Sequence, residues 1–320
     1  MRKITLRQAI NEALTEEMLR DAKVFIMGED IATGGAYAGV TDDLPQKVGA
    51  GRVINTPISE SCFTGAALGA ALRGLRPVVE FMIGDFYAVA ADQIFNQIAK
   101  ARYMSGGRVT VPITLRLPNG GYLSQASQHS QSIESLFIHT PGIKVVCASG
   151  AYSGKGLLKS AIRDDNPVAF LEPKILYQAE EEVPEEEYLI SIGRSNILSK
   201  GSDLTIAAYG YQVSQAKQAI RMLPQYSIEL IDLQSLSPLD SVTILDSVSK
   251  TRRLLIVQED YAVCSMAEHL AFLVYSGFSA DVKVKIVSAK YAPIPFSPPL
   301  EEYILPQISD IVAGIKEILG

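Results

Sequence analysis

The chain has 320 residues, of which 48% are hydrophobic and 20% are charged, so disordered and low-complexity proteins are excluded. It carries 29 Lys and Arg against 35 Asp and Glu, which gives a net charge of −6. No basic run is available to displace the counterions of a nucleic acid, and no stretch reaches the ~18 apolar residues of a membrane-spanning helix. We therefore predict neither a nucleic-acid partner nor a membrane partner.

The first predicted element is a helix rather than a signal peptide. Thr5-Leu6-Arg7-Gln8 is typical of a capping box at a helix start, and apolar residues follow at helical spacing. Cys62, Cys147 and Cys264 are far apart and odd in number, so they fit neither a disulfide framework nor a metal site. They indicate a reducing compartment, which predicts a cytoplasmic protein; an organellar matrix or stroma stays open.

Short apolar runs then alternate with helical patterns along the chain. The runs are rich in Val and Ile with little polar alternation, which is typical of parallel strands buried on both faces. Strands are predicted at 24–27, 78–82, 111–117, 144–148, 168–171, 204–209, 228–233, 254–257 and 282–287. Helices are predicted at 61–73, 86–103, 154–163, 212–223, 241–250, 264–275 and 308–319. The predicted fold class is α/β with mostly parallel sheets.

A run of six glutamates in residues 180–187 marks the predicted domain boundary. A strand pattern ends before it, and a new β-α-β series starts at Leu204. We predict a first domain at residues 1–185, a second at 195–320, and an acidic, solvated linker at 179–194.

Several common catalytic motifs are absent. The sequence contains no Gly-x-Gly-x-x-Gly after a strand, no P-loop, no Gly-x-Ser-x-Gly and no His-Glu-x-x-His. Its three histidines are dispersed, which argues against a histidine-rich metal site. Gly65 and Gly69 lie four apart on one predicted helix, where they favour close helix packing over phosphate binding.

Polar segments instead follow four predicted strands in turn, where ligands bind in open α/β sheets. Glu60 stands at a helix start and is either a cap or a catalytic acid. The segment 81–87 contains Met82, Asp85 and Phe86, and Asn119 opens the loop that leads to His129. His129 lies among hydrogen-bonding residues, so it is a better catalytic candidate than a histidine in an apolar helix.

Five segments carry a resemblance to one family. They are Thr56-Pro-Ile-Ser-Glu60, Gly65-Ala-Ala-Leu-Gly69 with its continuation to Glu80, Tyr103-Met-Ser-Gly-Gly107, Gln128-His-Ser-Gln131 and Leu158-Lys-Ser-Ala-Ile-Arg-Asp-Asp-Asn-Pro167. The chain resembles the β subunit of the thiamine-diphosphate-dependent first component of 2-oxoacid dehydrogenase complexes, of the pyruvate dehydrogenase type. The resemblance implies a pyrimidine-binding, transketolase-like first domain and a transketolase C-terminal-like second domain.

The resemblance also assigns roles to four site residues. Glu60 would hydrogen-bond the ring nitrogen N1′ of the aminopyrimidine, a task that suits a carboxyl in an apolar cleft. Phe86 and Met82 would contact the cofactor. His129 would act on the substrate carboxylate or on the lipoyl group during acyl transfer.

The resemblance further implies a structural potassium ion. Its ligands would be main-chain oxygens of four residues and the Asp164 carboxylate; the four residues are Ile113, Ala161, Ile162 and Asn166. Oxygen ligands at a helix C-terminus suit a hard cation, because carbonyl groups collect there. An ordinary helix end at Asn166-Pro167 is the open alternative.

A missing motif predicts a second chain. The family binds the diphosphate and its Mg²⁺ through Gly-Asp-Gly followed by paired Asn, and Gly84-Asp85-Phe86 is only a partial match. We therefore expect this chain to supply the pyrimidine half of the site and an α subunit to hold most of the Mg²⁺ contacts, in an α2β2 heterotetramer. The resemblance also implies partners in the dihydrolipoyl acyltransferase, namely its subunit-binding and lipoyl domains.

The expected activity is oxidative decarboxylation of pyruvate with acetyl transfer to the lipoyl group. Two alternatives stay open at this point. The substrate could be a branched-chain 2-oxoacid or acetoin, although Gln128 favours pyruvate. The chain could also be a non-catalytic scaffold subunit, since residues 260–266 depart from the family pattern, but the presence of Glu60, Phe86 and His129 together argues against this.

Overall fold

The computed structural model describes residues 1–278 and 281–320. The chain divides into two compact units. Unit 1 comprises Met1–Asn119 and Leu136–Ile192, and unit 2 comprises Gly120–Ser135 and Gly193–Gly320. The short segment Gly120–Ser135, which carries His129, therefore packs with the second unit although the first unit surrounds it in sequence.

Unit 1 alternates strands and helices through most of its length. Its elements are β1 (Arg2–Thr5), α1 (Leu6–Arg20), β2 (Val24–Gly28), α2 (Leu44–Val48), β3 (Val53–Asn55), α3 (Glu60–Leu72), β4 (Arg76–Glu80), α4 (Ala99–Met104), β5 (Thr114–Asn119), α5 (Glu134–Ile138), β6 (Lys144–Cys147), α6 (Ala151–Arg163), β7 (Val168–Pro173) and β8 (Glu180–Val183). The first two residues of α5 belong to unit 2. The predicted capping box at Thr5 is confirmed, because Thr5 and Gln8 exchange side-chain to backbone hydrogen bonds of 3.2 and 2.9 Å.

Six strands of unit 1 are hydrogen-bonded in the order β6-β7-β5-β4-β2-β3. Every pairing within this order is parallel. Their apolar side chains are almost completely buried, which confirms the prediction of parallel strands covered on both faces. Since parallel strands end at the same edge, the polar segments that follow β2, β3 and β4 are brought together there.

The predicted helix over 86–103 is three shorter elements instead. A 3₁₀ helix spans Gly84–Ala88, a π-helical segment spans Asp92–Ile98, and α4 completes the stretch. Tyr87 and Phe95 both pack edge-on against Phe137, with ring centroids 5.7 and 5.4 Å apart. These ring contacts join residues distant in sequence, so the local apolar spacing could not show them.

The glutamate run is partly structured. Glu180–Val183 forms β8, which pairs antiparallel with β1 from Arg2↔Val183 to Thr5↔Glu180. Lys3 pairs with Glu180 at 2.9 Å, and Tyr152 donates its backbone N–H to Glu181 at 3.0 Å. The predicted linker therefore begins with a strand of unit 1, because its charges meet cations and donors from other parts of the chain.

Unit 2 is a second, smaller α/β layer structure. Its elements are β9 (Asn196–Ser199), β10 (Leu204–Ala208), α7 (Tyr211–Arg221), β11 (Ile228–Asp232), β12 (Ser235–Ser237), α8 (Ser241–Thr251), β13 (Arg253–Tyr261), α9 (Met266–Gly277), β14 (Lys283–Ala289), α10 (Pro298–Ile304) and α11 (Ile308–Leu319). Five strands form a sheet in the order β14-β13-β10-β11-β9, in which only β9 runs antiparallel to its neighbour. Within the described ranges, no helix combines the length and apolar character needed to cross a membrane.

Candidate functional site

The candidate site of unit 1 starts where β2, β3 and β4 end side by side. Gly28 is in register with Asn55 on one side and with Glu80 on the other. A Cβ on Gly28 would lie 2.4 Å from the Glu80 carbonyl oxygen, so only glycine allows the two strands to approach this closely. The Thr56 N–H donates to the Gly28 carbonyl at 2.9 Å. Glu29 directly follows β2 and Thr56 directly follows β3, so both residues leave the sheet at the same edge.

Glu60 is the first residue of α3 and is only 6% exposed. The N-terminus of a helix favours a negative charge, because its N–H groups point towards it. Glu29 lies close enough to sense that charge: burial raises the pKa of Glu29, and the carboxylates of Glu60 and Asp30 raise it further. The structure thus brings Glu60, which was predicted from the sequence, close to Glu29, a second buried carboxyl that was not predicted.

Several buried polar atoms beside Glu60 have no hydrogen-bond partner among the described residues. They are Glu29 Oε1, Thr56 Oγ1 and Thr64 Oγ1. Thr64 lies one helical turn after Glu60 and so shares its face of α3. A buried polar atom without a partner costs about 1–3 kcal/mol, and so such a group is commonly found where a ligand or water completes it. These atoms fit a polar heterocycle bound against Glu60.

Met82 and Phe86 lie on the segment that follows β4. Both side chains are half-buried, and Phe86 sits in the 3₁₀ helix Gly84–Ala88. The Ser61 hydroxyl, in the first turn of α3, donates to the carbonyl of Val89 just after that helix. This hydrogen bond ties the predicted cofactor-contacting segment to the helix that begins with Glu60.

A fully buried ion cluster lies at the same edge of the sheet. Arg116 bonds Glu172 through two nitrogens, at 2.7 and 2.8 Å, and its third nitrogen contacts Glu80. The Tyr177 hydroxyl donates to Glu172 at 2.7 Å. Burial raises the pKa of Glu80 to about 7, against the opposing charge of Arg116 and with a further rise from Glu172. This cluster was not predicted from the sequence, although Glu80 and Arg116 are charged positions within two apolar strands.

The predicted potassium ligands gather at the C-terminal end of α6. Asp164 ends the helix, and its N–H donates to the Ala161 carbonyl at 3.2 Å. The Val168 N–H donates to the Ile113 carbonyl at 2.9 Å, and the Asn166 N–H donates to the Asp164 carboxylate at 2.9 Å. Ala161, Asp164 and Asn166 are therefore joined by hydrogen bonds within one turn, and Ile113 is bonded to the start of the strand that follows it.

Three cationic side chains reach this turn, and one of them, Arg102, donates to the side-chain oxygen of Asn166 at 2.6 Å. Arg76 donates to the carbonyls of Ile162 and Asp164 at 2.9 and 2.7 Å, and Lys144 lies 2.5 Å from the Asp164 carboxylate. Burial opposes ionisation of Asp164, but the hydrogen bonds from Lys144 and Asn166 more than offset it, so the pKa of Asp164 is lowered. As a donor set the predicted oxygens fit a hard cation, but the Ile162 carbonyl already accepts from the Arg76 guanidinium and the Asp164 carboxylate from the Lys144 ammonium.

His129 lies in unit 2, apart in the chain from the residues above. It is half-buried on a loop whose two ends are joined by a hydrogen bond from Gly120 N–H to the Gln131 carbonyl at 3.0 Å. Glu60, Met82 and Phe86 belong to unit 1. The predicted catalytic pair is therefore carried by two separately packed units.

Comparison with known proteins gives consistent matches. Residues 2–180 match the transketolase pyrimidine-binding domain, and residues 193–311 match the transketolase C-terminal domain. The pyruvate dehydrogenase E1 component subunit beta of Rickettsia felis is 45% identical, over 98% of both chains. The acetoin:2,6-dichlorophenolindophenol oxidoreductase subunit beta of Bacillus subtilis is 44% identical, over 100% of this chain and 98% of its own. A solved structure described as a split-gene transketolase, an inactive beta4 tetramer, superposes with a TM-score of 0.82 at 21% identity over 99% of this chain and 98% of its own.

Proposed function

Because the chain belongs to the transketolase-like family that includes the β subunits of pyruvate dehydrogenase E1 components, we propose that it is a subunit of this kind. With an α subunit it decarboxylates pyruvate oxidatively and passes the acetyl group to the lipoyl group of an acyltransferase. The observation that carries the proposal is the buried Glu60 at the start of α3, with Glu29 and unpartnered polar atoms beside it.

The cofactor is thiamine diphosphate, shared with the α subunit. When bound, it supplies a thiazolium carbon that attacks a keto group and an electron sink for decarboxylation. In this chain, Glu60 would hold a proton at the ring nitrogen of the aminopyrimidine, and Phe86 and Met82 would bind that ring. His129 holds or moves a proton during acetyl transfer. The Mg²⁺ at the diphosphate is held mainly by the α subunit.

Exposed apolar side chains of unit 1 are candidates for contact with the α subunit. Ile58, two residues before Glu60, is 84% exposed, and Val89 is 57% exposed just after the Phe86 segment. Tyr103 and Met104 at the end of α4 are 88% and 75% exposed. A contiguous exposed apolar patch marks an interaction site, and we propose that these side chains form such a patch in the contact with the α subunit. We propose an α2β2 heterotetramer that also binds the lipoyl and subunit-binding domains of the acyltransferase.

Acetoin cleavage is the second candidate. Two acetoin:2,6-dichlorophenolindophenol oxidoreductase β subunits, from Cupriavidus necator and Bacillus subtilis, are 43% and 44% identical to the chain, close to the identity of the pyruvate dehydrogenase relatives. Substrate choice depends on pocket side chains, and an α subunit supplies some of them. The compartment that we propose is the cytoplasm, since all three cysteines, which lie within the described residues, are thiols.

Reconstitution tests the function. We expect the chain, co-expressed with an α-type partner that carries Gly-Asp-Gly and paired Asn, to turn over pyruvate in the presence of thiamine diphosphate and Mg²⁺. Neither chain alone should have activity. Turnover of acetoin but not pyruvate would establish the second candidate, and failure with pyruvate, branched-chain 2-oxoacids and acetoin in every pairing would favour the scaffold alternative.

Potassium binding is a further part of the proposal. We expect K⁺ to raise the melting temperature of unit 1 relative to tetramethylammonium at the same ionic strength, because carbonyl and carboxylate oxygens at the end of α6 would ligate it. Asp164→Asn should abolish the K⁺ increment, whereas the neighbouring Asp165→Asn should keep it. Thermal unfolding monitored by calorimetry gives both values, and an equal effect of K⁺ on wild type and Asp164→Asn contradicts the site.

A further inference from the structure

The loop 120–131 of unit 2 is held in a strained conformation. Its ends meet through the Gly120 to Gln131 hydrogen bond, which makes it a compact Ω-type loop. Three of its non-glycine residues, Tyr122, Ser124 and Ala126, have φ values of +67°, +53° and +64°. A left-handed conformation costs about 1–2 kcal/mol for such a residue. The loop therefore keeps its shape only because contacts outside it offset this strain.

Hydrogen-bonding groups elsewhere in unit 2 supply these contacts, among them four that bind Gly121, Tyr122, Ser124 and Ser127. The Gly121 N–H donates to Glu259 at 2.6 Å, and the Tyr122 hydroxyl donates to a main-chain carbonyl at 2.8 Å. The Ser127 hydroxyl donates to another main-chain carbonyl at 2.7 Å. The fourth group is Glu301 of α10, which accepts from both the N–H and the hydroxyl of Ser124, at 2.8 and 3.1 Å. Glu301 thus fixes the middle of the three left-handed residues.

The Glu301 carboxylate is buried and also faces the neck of the loop. Its side chain is 4% exposed, and one oxygen, Oε2, accepts both bonds from Ser124. The other oxygen, Oε1, faces Gly121: a Cβ on Gly121 would lie 3.2 Å from this oxygen and 3.7 Å from the Ser130 carbonyl oxygen. One carboxylate therefore spans the strained centre of the loop and the neck, where Ser130 is the residue next to His129.

We propose that Glu301 is a positioning residue for His129: its buried carboxylate fixes Ser124 in loop 120–131 and through the loop sets the orientation of the imidazole. A charge-assisted hydrogen bond is stronger than a neutral one, and two of them to one residue define its backbone and its side chain together. The inference rests on the proposed function, because it takes His129 as the group that acts in acetyl transfer.

Kinetics of the reconstituted holoenzyme test the proposal. Glu301→Ala is expected to lower kcat for acetylation of a lipoyl domain about 10- to 100-fold, since catalytic geometry is sensitive to small displacements, while KM for pyruvate changes less than about twofold. Glu301→Gln should recover most of the rate, because its amide oxygen can still accept from Ser124. The matched control is Glu302→Ala, an exposed carboxylate on the same helix, which should behave as wild type.

A double-mutant cycle separates positioning from a general structural role. If Glu301 acts through His129, adding Glu301→Ala to His129→Ala should lower kcat by less than about twofold, because residues that act as a unit are not additive. Full additivity of the two losses overturns the proposal. If Glu301→Ala does not fold, Ser124→Ala takes its place in the cycle, since it removes only the hydroxyl half of the contact.

Hydrogen exchange of the full chain tests the positioning role of Glu301 without a measurement of catalytic activity. In Glu301→Ala, peptides within residues 120–131 should exchange at least about tenfold faster, while peptides of β10 and β11 keep their wild-type rates. Unchanged exchange in the loop overturns the positioning role. If the wild-type holoenzyme turns over no substrate, the proposed function fails, and the exchange result still decides whether Glu301 holds the loop.

Discussion

Glu60→Gln in the reconstituted enzyme is expected to lower kcat for pyruvate by about 10²–10⁴-fold, the range that a positioned acid–base group contributes. Glutamine has nearly the shape of glutamate, so the packing around the first turn of α3 should persist. Its amide cannot carry the proton that the ring nitrogen of the aminopyrimidine requires. Steady-state kinetics with saturating thiamine diphosphate give the rate, and gel filtration gives the assembly state.

The control for this variant is Glu186→Gln, which removes an equal charge at an exposed position. It should retain wild-type kcat and wild-type assembly. Glu29→Gln should be compared with Glu60→Gln, because burial and the charge of Glu60 both raise the pKa of Glu29. A Glu60→Gln enzyme with full activity and an intact assembly would remove Glu60 from the mechanism.

Arg116→Ala should produce the largest loss of stability in unit 1, about 3–5 kcal/mol of its free energy of unfolding, which is typical when one partner of a buried ion pair is removed. The guanidinium is fully buried and bonds both Glu172 and Glu80. Its removal leaves a buried carboxylate without a cation. Urea unfolding followed by probes specific to unit 1 measures the change, since two units need not unfold together.

Glu80→Gln is the matched control, and its effect should depend on pH. Burial raises the pKa of Glu80 from its ordinary value of 4.5 to about 7, so the folded chain binds this proton more tightly than the unfolded chain. The corresponding stabilisation is fully present below pH 4.5 and is lost as the pH rises through about 7. Wild type should therefore lose stability relative to Glu80→Gln between pH 5 and 8. A stability difference that is the same at every pH contradicts a protonated Glu80.

Local sequence pattern predicted the parts of this molecule that local physics determines. The Val- and Ile-rich runs became buried parallel strands, and Glu60 could be placed at a helix start because it directly precedes the helical pattern of residues 61–73. The capping box at Thr5 was equally predictable, since its partners are three residues apart.

The unpredicted features all depend on pairings between distant residues. The bond from Arg116 to Glu172 and the pairing of β1 with β8 join positions that no sequence window contains. The hydrogen bond from Ser124 to Glu301 joins residues that are 177 positions apart in the sequence. One charged residue in an apolar strand predicts that a partner exists, because an isolated buried charge is unstable, but it does not say which residue is that partner.

Because Gly120–Ser135 packs with residues 193–320, it cannot make its folded contacts until those later residues have been synthesised. This segment leaves the ribosome long before Glu259 and Glu301, which hold its strained loop in unit 2. While the intervening residues are translated, residues 120–131 lack the hydrogen-bond partners that hold them in the complete fold. β1 and β8, which flank this segment in the sequence, can already pair during that time. A chain released early, before α10, therefore exposes residues 120–131 to proteases. We therefore expect proteases to cleave within residues 120–131 of a chain that ends before α10. The same segment should be protected in a chain that contains Glu259 and Glu301.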